Sequence, residues 1–382
     1  MNFELTEEQL MIRQAARDYA QRELIKDVLE RDATATYPAH HVKALAELGF
    51  MGMMVDPKYD GGGMDTISYV LAIEEISKVD ASLSVIMSVT NSLVCAGIEK
   101  FGTDAQKEKF LPRLARGEHI GAFLLSEPEA GSDATMQRTT AEDKDSHYLV
   151  NGTKNWITSG DKGSVYLLLA QTDKEKGHRG INALIVDRHS EGISLGPHED
   201  KMGMRSSDTH SVMFTDVKVP KENRLGKDGQ GFKLAMKLLE AGRIGIAAQA
   251  VGIAAGAFER AVKYAKERKA FGTEIANHQA IAFKLADMAT NIEAARFFCL
   301  KAAWLKDQGK PFGTVSAMAK QFAADTAMWV TTEAVQIHGG YGYVKEYHVE
   351  RLMREAKLTQ IYEGTSEIQK IIISRSVLKK FS

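Results

Sequence analysis

The chain has 382 residues, of which 44% are hydrophobic and 26% charged, with a formal net charge of −1. That profile excludes an intrinsically disordered chain and leaves no electrostatic footprint for nucleic acid, although a few local charges suffice to hold a small anion. Cys95 and Cys299 are far apart and outside any C-x-x-C pair, so neither a disulfide framework nor a metal site is expected.

The opening residues, Met1 to Gln9, are acidic and lead straight into a helical pattern, unlike a signal or transit peptide. No run approaches the roughly 18 apolar residues of a membrane span. The expectation is a cytoplasmic globular protein, two or three structural layers thick, with no membrane partner.

Residues 1–120 read as an N-terminal helical domain. Thr6 and Gln9 have capping-box spacing, and Leu10, Ile12, Ala15, Ala16, Tyr19 and Ala20 follow at helical period. His41–Leu48 repeats the pattern with Gly49 placed to stop it. Gly61-Gly62-Gly63 marks a loop, and Ile67–Val79 is the next amphipathic stretch.

Residues 121–225 read as a middle antiparallel β domain. Tyr148–Gly152 suggests a strand entering an Asn-Gly hairpin turn. Val165–Ala170, Ile181–Val186 and Ser211–Val219 are further strand-like runs. Residues 226–382 return to helix. Gly231–Arg268 is rich in Ala and Gly, which suits close packing in a bundle or between subunits. No G-x-G-x-x-G, Walker A, H-E-x-x-H or G-x-S-x-G motif occurs, so cofactor chemistry requires another scaffold.

Three stretches are specific. They are Leu124-Leu125-Ser126-Glu127-Pro128-Glu129-Ala130-Gly131-Ser132-Asp133, Gln336-Ile337-His338-Gly339-Gly340-Tyr341-Gly342-Tyr343 with Arg351 and Glu355 beyond it, and Gln360-Ile361-Tyr362-Glu363-Gly364-Thr365-Ser366-Glu367-Ile368. In this order, and over essentially the whole chain, they resemble the acyl-CoA dehydrogenase family, with the short-chain (butyryl-CoA) branch nearest. The resemblance implies an α+β, mostly α fold: N-terminal helices, a middle β domain and a C-terminal four-helix bundle. It also implies FAD, an acyl-CoA substrate, electron-transferring flavoprotein as electron acceptor, and a homotetramer.

The chemistry needs a carboxylate for the weakly acidic α-proton of a thioester, and an acceptor for the β-hydride. Glu363 resembles the family's base, with Gly364 beside it making room for the thioester. In any other context a glutamate after a tyrosine reads as a solvated charge. Phe123, Leu125, Ser126, Trp156 and Thr158 match flavin-side positions, and Ser132 matches a CoA contact. Arg268, Phe271, Gln279, Gln336, Gly339 and Gly340 match contacts to a neighbouring subunit's FAD, and Thr365 and Glu367 are also assigned to the cofactor side. Glu240 and Arg243 match the CoA-binding segment. Three positions depart from the pattern: Leu124 and Met136 replace small residues, and His338 replaces an apolar one. The family places its base at either of two positions, and the second, Gly242 here, carries no carboxylate. Its glycine is expected to leave space for substrate. The rival readings are the enoyl-CoA reductase direction, an acyl-CoA oxidase and a flavin-containing nucleic-acid-binding relative.

Overall fold

The computed structural model describes residues 4–381, so the Met1–Phe3 part of the acidic opening lies outside the described residues. Seven helices come first: α1 (Glu7–Arg22), α2 (Val28–Thr34), α3 (Ala39–Glu47), α4 (Thr66–Ser77), α5 (Ala81–Ser88), α6 (Ala96–Phe101) and α7 (Asp104–Ala115). A π-helical turn, Val89–Cys95, joins α5 to α6. The expected capping box opens α1: the Gln9 amide N–H donates to Thr6 Oγ1 at 3.2 Å, and the Thr6 N–H donates to Gln9 Oε1 at 3.0 Å.

Eight strands follow: β1 (Gly121–Leu124), β2 (Thr140–Lys144), β3 (His147–Thr158), β4 (Val165–Gln171), β5 (Ile181–Asp187), β6 (Ile193–Leu195), β7 (Thr209–Pro220) and β8 (Arg224–Leu225). They form one sheet in the order β6-β7-β3-β2-β4-β5-β8, with β1 also on β4. The sheet is mixed rather than purely antiparallel, because β1 and β2 both run parallel to β4. A second expectation also fails. Asn151-Gly152 is not a turn: β3 runs straight through it, and the hairpin turns at Asp145-Ser146. Gly152 instead occupies a register shift against β7 at φ +146°, where a Cβ would come within 2.6 Å of the Thr139 Cα.

The remainder is helical: α8 (Gly231–Glu267), a small hairpin of β9 (Lys269–Ala270) and β10 (Thr273–Glu274), then α9 (Gln279–Asp307), α10 (Gly313–His338), α11 (Val349–Thr359) and α12 (Ser366–Lys380). The first three long helices make a bundle whose fourth place is shared by α11 and α12, two pieces separated by a break at residues 360–365. Its small residues are used within the chain. Cβ atoms at Gly252 and Gly256 would fall 2.3 Å from the carbonyl oxygens of Glu74 and Lys78, so glycine lets α8 press against the end of α4.

β4 explains how the layers join. Val165, Leu167 and Leu169 face the helical core, while Tyr166, Leu168 and Ala170 face the interior of the β domain. One helical core therefore runs continuously from the N-terminal helices through α8 to α11, with the sheet as one wall. The expectation that no run approaches a membrane span is corrected: the helical run Ala81–Phe101 and α8 are both long and apolar enough to cross a membrane, and both are largely buried inside the fold. Cys95 and Cys299 are buried free thiols. Asp27, His40 and His41 have metal-like spacing, but Asp27 is paired with Arg31 at 3.1 Å, and His41 Nδ1 lies 2.7 Å from the Tyr19 hydroxyl.

Candidate active site

The break between α11 and α12 carries Glu363. Ser366 N–H donates to Gln360 O at 2.9 Å to close the loop, and Thr365 caps α12 by accepting from Ile368 N–H at 3.3 Å. Glu363 and Gly364 both have left-handed backbone, with φ of 51° and 92°. Glycine does this freely; glutamate does so at a cost that the surroundings must cover. Three buried groups hold the loop. Lys320 Nζ and Gln369 Nε2 both donate to Gly364 O, at 2.7 and 2.8 Å. The Tyr362 hydroxyl donates to Gln249 Oε1, and Gln249 Nε2 is anchored on Ala81 O and Ser84 Oγ, each at 2.9 Å.

This geometry turns the Glu363 side chain inward. The residue as a whole is half-buried, but both carboxylate oxygens are sealed from solvent and accept no hydrogen bond among the described residues. One of them rests on Gly242 of α8: a Cβ there would lie 2.3 Å from Glu363 Oε2. The space at Gly242 thus belongs to the carboxylate itself, which corrects the expectation that substrate fills it. Burial raises the Glu363 pKa from the usual carboxylate range to about 7, with the charges of Lys320 and Arg243 pulling the other way. Its backbone N–H makes no hydrogen bond among the described residues. Arg243 is buried one residue beyond Gly242, with an unpartnered Nε, and burial lowers its pKa. Glu240 is half-buried on α8 and faces the start of α10, where its carboxylate would sit 3.1 Å from a Cβ at Gly313.

The β domain brings a second group together. Phe123, Leu125, Ser126 and Thr158 are half-buried. Asn155 N–H donates to Ser126 O at 2.9 Å, tying the Ser126 segment to the Trp156 segment. The register of β3 against β7 breaks between Lys154 and Ile157, and Trp156 stands there at φ 60° with 62% of its surface exposed. Beneath lies a buried ion pair: Lys154 Nζ contacts Glu127 Oε1 at 2.8 Å and Leu125 O at 3.1 Å. Burial lowers the Lys154 pKa to about 8 despite Glu127. Ser132 and Met136 are exposed on the loop beyond. Leu124 is fully buried in the core of the β domain, so this departure does not shape the face that Phe123 and Leu125 share.

A third group sits at the far end of α8. Tyr264, Arg268, Gly339, Gly340 and Tyr341 line a cavity of about 850 Å³, with the Arg268 guanidinium 5.7 Å from the centre of the Tyr341 ring. Phe271, at the tip of the β9–β10 hairpin, is 97% exposed at φ 51°, and Gln279, the first residue of α9, and Gln336, in the last turn of α10, are exposed. His338 is a satisfied side chain. Its Nδ1 lies 2.7 Å from Ala334 O, and its ring stacks on Tyr264 at 4.3 Å. Along the 1.5 Å rise of a helix, Arg268 is about 39 Å from Gly242. One chain therefore does not bring this group to its own Glu363. Thr365 serves as a cap, and Glu367 is an exposed first-turn carboxylate of α12.

Lys320, Gln369, Gln249, Lys154 and Glu127 were not anticipated as site residues. Lys320 carried a signal: it shares one face of α10 with Ala317, Ala324 and Ala327, all fully buried, so a charge interrupts an apolar stripe.

Residues 6–118, 122–217 and 229–378 match the acyl-CoA dehydrogenase N-terminal, middle and C-terminal domains. The chain is 47% identical to a short-chain specific acyl-CoA dehydrogenase of Clostridium acetobutylicum, over 99% of this chain and all of that one. It superposes on the butyryl-CoA dehydrogenase of Megasphaera elsdenii with a TM-score of 0.97 at 48% identity, covering 99% of this chain and 100% of the other. It is also 45% identical to a caffeyl-CoA reductase–Etf complex subunit of Acetobacterium woodii, over 98% of this chain and 99% of that protein. The match of all three domains in order, on a fold that buries an unsatisfied carboxylate beside a helix glycine, places the chain in the flavin-dependent acyl-CoA dehydrogenase family.

Proposed function

We propose that the protein is a short-chain acyl-CoA dehydrogenase that uses Glu363 to convert an acyl-CoA into its trans-2-enoyl-CoA, with electrons leaving to electron-transferring flavoprotein. The observation that carries the reading is the Glu363 carboxylate: buried, without a hydrogen-bond partner, and with its pKa lifted to about 7. A base whose pKa lies near working pH combines a large ionised fraction with the strongest driving force for taking a proton.

FAD is the proposed cofactor, and a bound FAD supplies the acceptor for the hydride that leaves the β-carbon. The residues fit such a ring. Trp156 is held outward by strained backbone on a strand irregularity, with the half-buried Thr158 two residues on, and the half-buried Phe123, Leu125 and Ser126 belong to the segment that Asn155 N–H ties to this one. Glu363 takes the α-proton. Its free backbone N–H is placed to donate to the thioester carbonyl, where negative charge develops. Gly364 admits the thioester, and Ser132, Glu240 and Arg243 are assigned to the CoA portion. Arg268, Phe271, Gln279, Gln336, Gly339 and Gly340 are assigned to the adenosine and pyrophosphate of a neighbour's FAD, where an arginine fork suits phosphate. Thr365 and Glu367 complete the cofactor side.

The distance between Arg268 and Gly242 supports subunits that complete one another's sites, and a homotetramer is the proposed assembly. The proposal places the enzyme in the cytoplasm, with domains at 1–120, 121–225 and 226–382. The resemblance to a reductase-complex subunit favours a second reading, the same site run toward enoyl-CoA reduction. Anaerobic bleaching of the flavin by straight and branched acyl-CoAs tests the assignment. Four-carbon substrates are expected to be best, with about eight carbons the outer reach. A kcat/KM that keeps rising to C12 overturns the short-chain reading.

A further inference from the structure

Lys320 is wholly buried on α10 among alanines, a costly place for an ammonium group. Its Nζ donates to Gly364 O at 2.7 Å, and no carboxylate forms an ion pair with it among the described residues. The charges that act on it come from four sides: Glu363 first, then Arg243 on α8, Asp325 on its own helix and Glu367 on α12. Glu363 in turn feels Lys320 and Arg243, and the phenols Tyr362 and Tyr69 lie within reach of its charge.

We infer that Lys320 is a positioning residue for α-proton abstraction: its ammonium clamps Gly364 O, fixing the left-handed Glu363–Gly364 backbone, and its charge compensates a carboxylate that no hydrogen bond supports. The inference rests on Glu363 being the base. Gln369 shares the clamp on Gly364 O but is neutral, so only Lys320 combines clamp and charge. Burial holds Lys320 down to about 8, opposed chiefly by Glu363, as expected of a cation whose counter-charge is the base itself.

The test uses FAD-loaded Lys320→Met, Lys320→Gln and Lys320→Arg, with flavin reduction by butyryl-CoA followed anaerobically across pH. Removing the charge raises the pKa of Glu363, so the acid limb moves up by about one pH unit in the Met and Gln proteins. The Gln protein, which retains a donor toward Gly364 O, keeps the larger plateau rate of the two, and Lys320→Arg returns the limb toward wild type. Met and Gln proteins that keep their flavin and an unmoved acid limb overturn the proposal, as does a loss confined to KM. Near-normal reduction by Glu363→Gln instead overturns the assignment of the base, a separate failure. A measurement without change at 320 covers variants that do not fold. A lysine held below its free value makes stability rise with pH, and removing the Glu363 charge lets that rise begin at lower pH. An alkaline rise that begins at the same pH in wild type and in Glu363→Gln overturns the coupling, whatever constant offset separates the two curves.

Discussion

Two segments proposed to do chemistry each hang on a fully buried lysine, and the two lysines are satisfied differently. Under the Ser126 and Trp156 segments, Lys154 meets Glu127, and Glu127 also accepts backbone N–H groups from Arg138 and Thr139 at 2.6 and 3.1 Å. Charge, countercharge and hydrogen bonds all close within the fold. Under the Glu363 loop, among the described residues, Lys320 has a carbonyl but no carboxylate in contact, and the carboxylate it acts on has no donor. The first arrangement builds a rigid platform. The second leaves electrostatic demand unmet at one atom pair, which is the condition for a group that must exchange a proton.

The contrast can be broken at either end. The largest effect is expected from Glu363→Gln, which keeps the shape but cannot accept the proton: flavin binding and ligand binding persist while the reduction rate falls by about 10²–10⁴-fold. The same variant removes a pH dependence of stability. A carboxyl raised to about 7 in the fold binds more protons than in the unfolded chain, so its stabilisation is full at low pH and is lost as pH rises through 7. Thermal melts of the variant are expected to lack that decline.

Next is Gly242→Ala, whose methyl would strike Glu363 Oε2 and displace the base, lowering kcat by about 10²-fold. Combining Gly242→Glu with Glu363→Gly removes the collision and supplies a carboxylate from α8, so partial activity is expected where Gly242→Glu alone has none. Activity in Gly242→Glu equal to wild type would show that the carboxylate does not rest there.

Lys154→Met tests the platform. It leaves Glu127 buried without its partner and is expected to destabilise the fold by about 3–5 kcal/mol in denaturant titrations. It should also weaken flavin retention without moving the acid limb of the remaining activity. An acid limb that shifted as much as in Lys320→Met would erase the distinction between the two lysines. The smallest effect on the chain itself is expected from Arg268→Ala. FAD leaves more readily on dialysis while circular dichroism stays unchanged, because Arg268 borders an open cavity and no core.

The long elements were legible because each declares itself locally. The capping box of Thr6 and Gln9 and the short apolar run of β4 need no distant partner to be recognised, whereas α4, expected to be amphipathic, is buried nearly all round and the two faces of β4 are told apart only by what packs on them. Asn151-Gly152 misled because positive φ serves a bulge as well as a turn, and only the pairing of β3 with β7 decides between them. The parallel β1–β4 contact was invisible for the same reason. In the site, Glu363 was found through its motif, but the use of Gly242 was misread, since a glycine on a helix does not say which side chain fills the space above it. Lys320, Gln249 and Gln369 act across α8, α10 and α12, and their partners are backbone carbonyls or amides that a sequence does not display.

The length of α8 carries a last consequence. A rod that puts Gly242 and Arg268 about 39 Å apart makes each chain a donor at one end and a recipient at the other. Under the proposed tetramer, cofactor affinity then becomes a property of the assembly and follows mass action. Specific activity should fall on dilution, added FAD should restore it, and cofactor and subunits should leave together. A preparation stored dilute would lose its colour and its quaternary structure in a single step, and recover both on concentration.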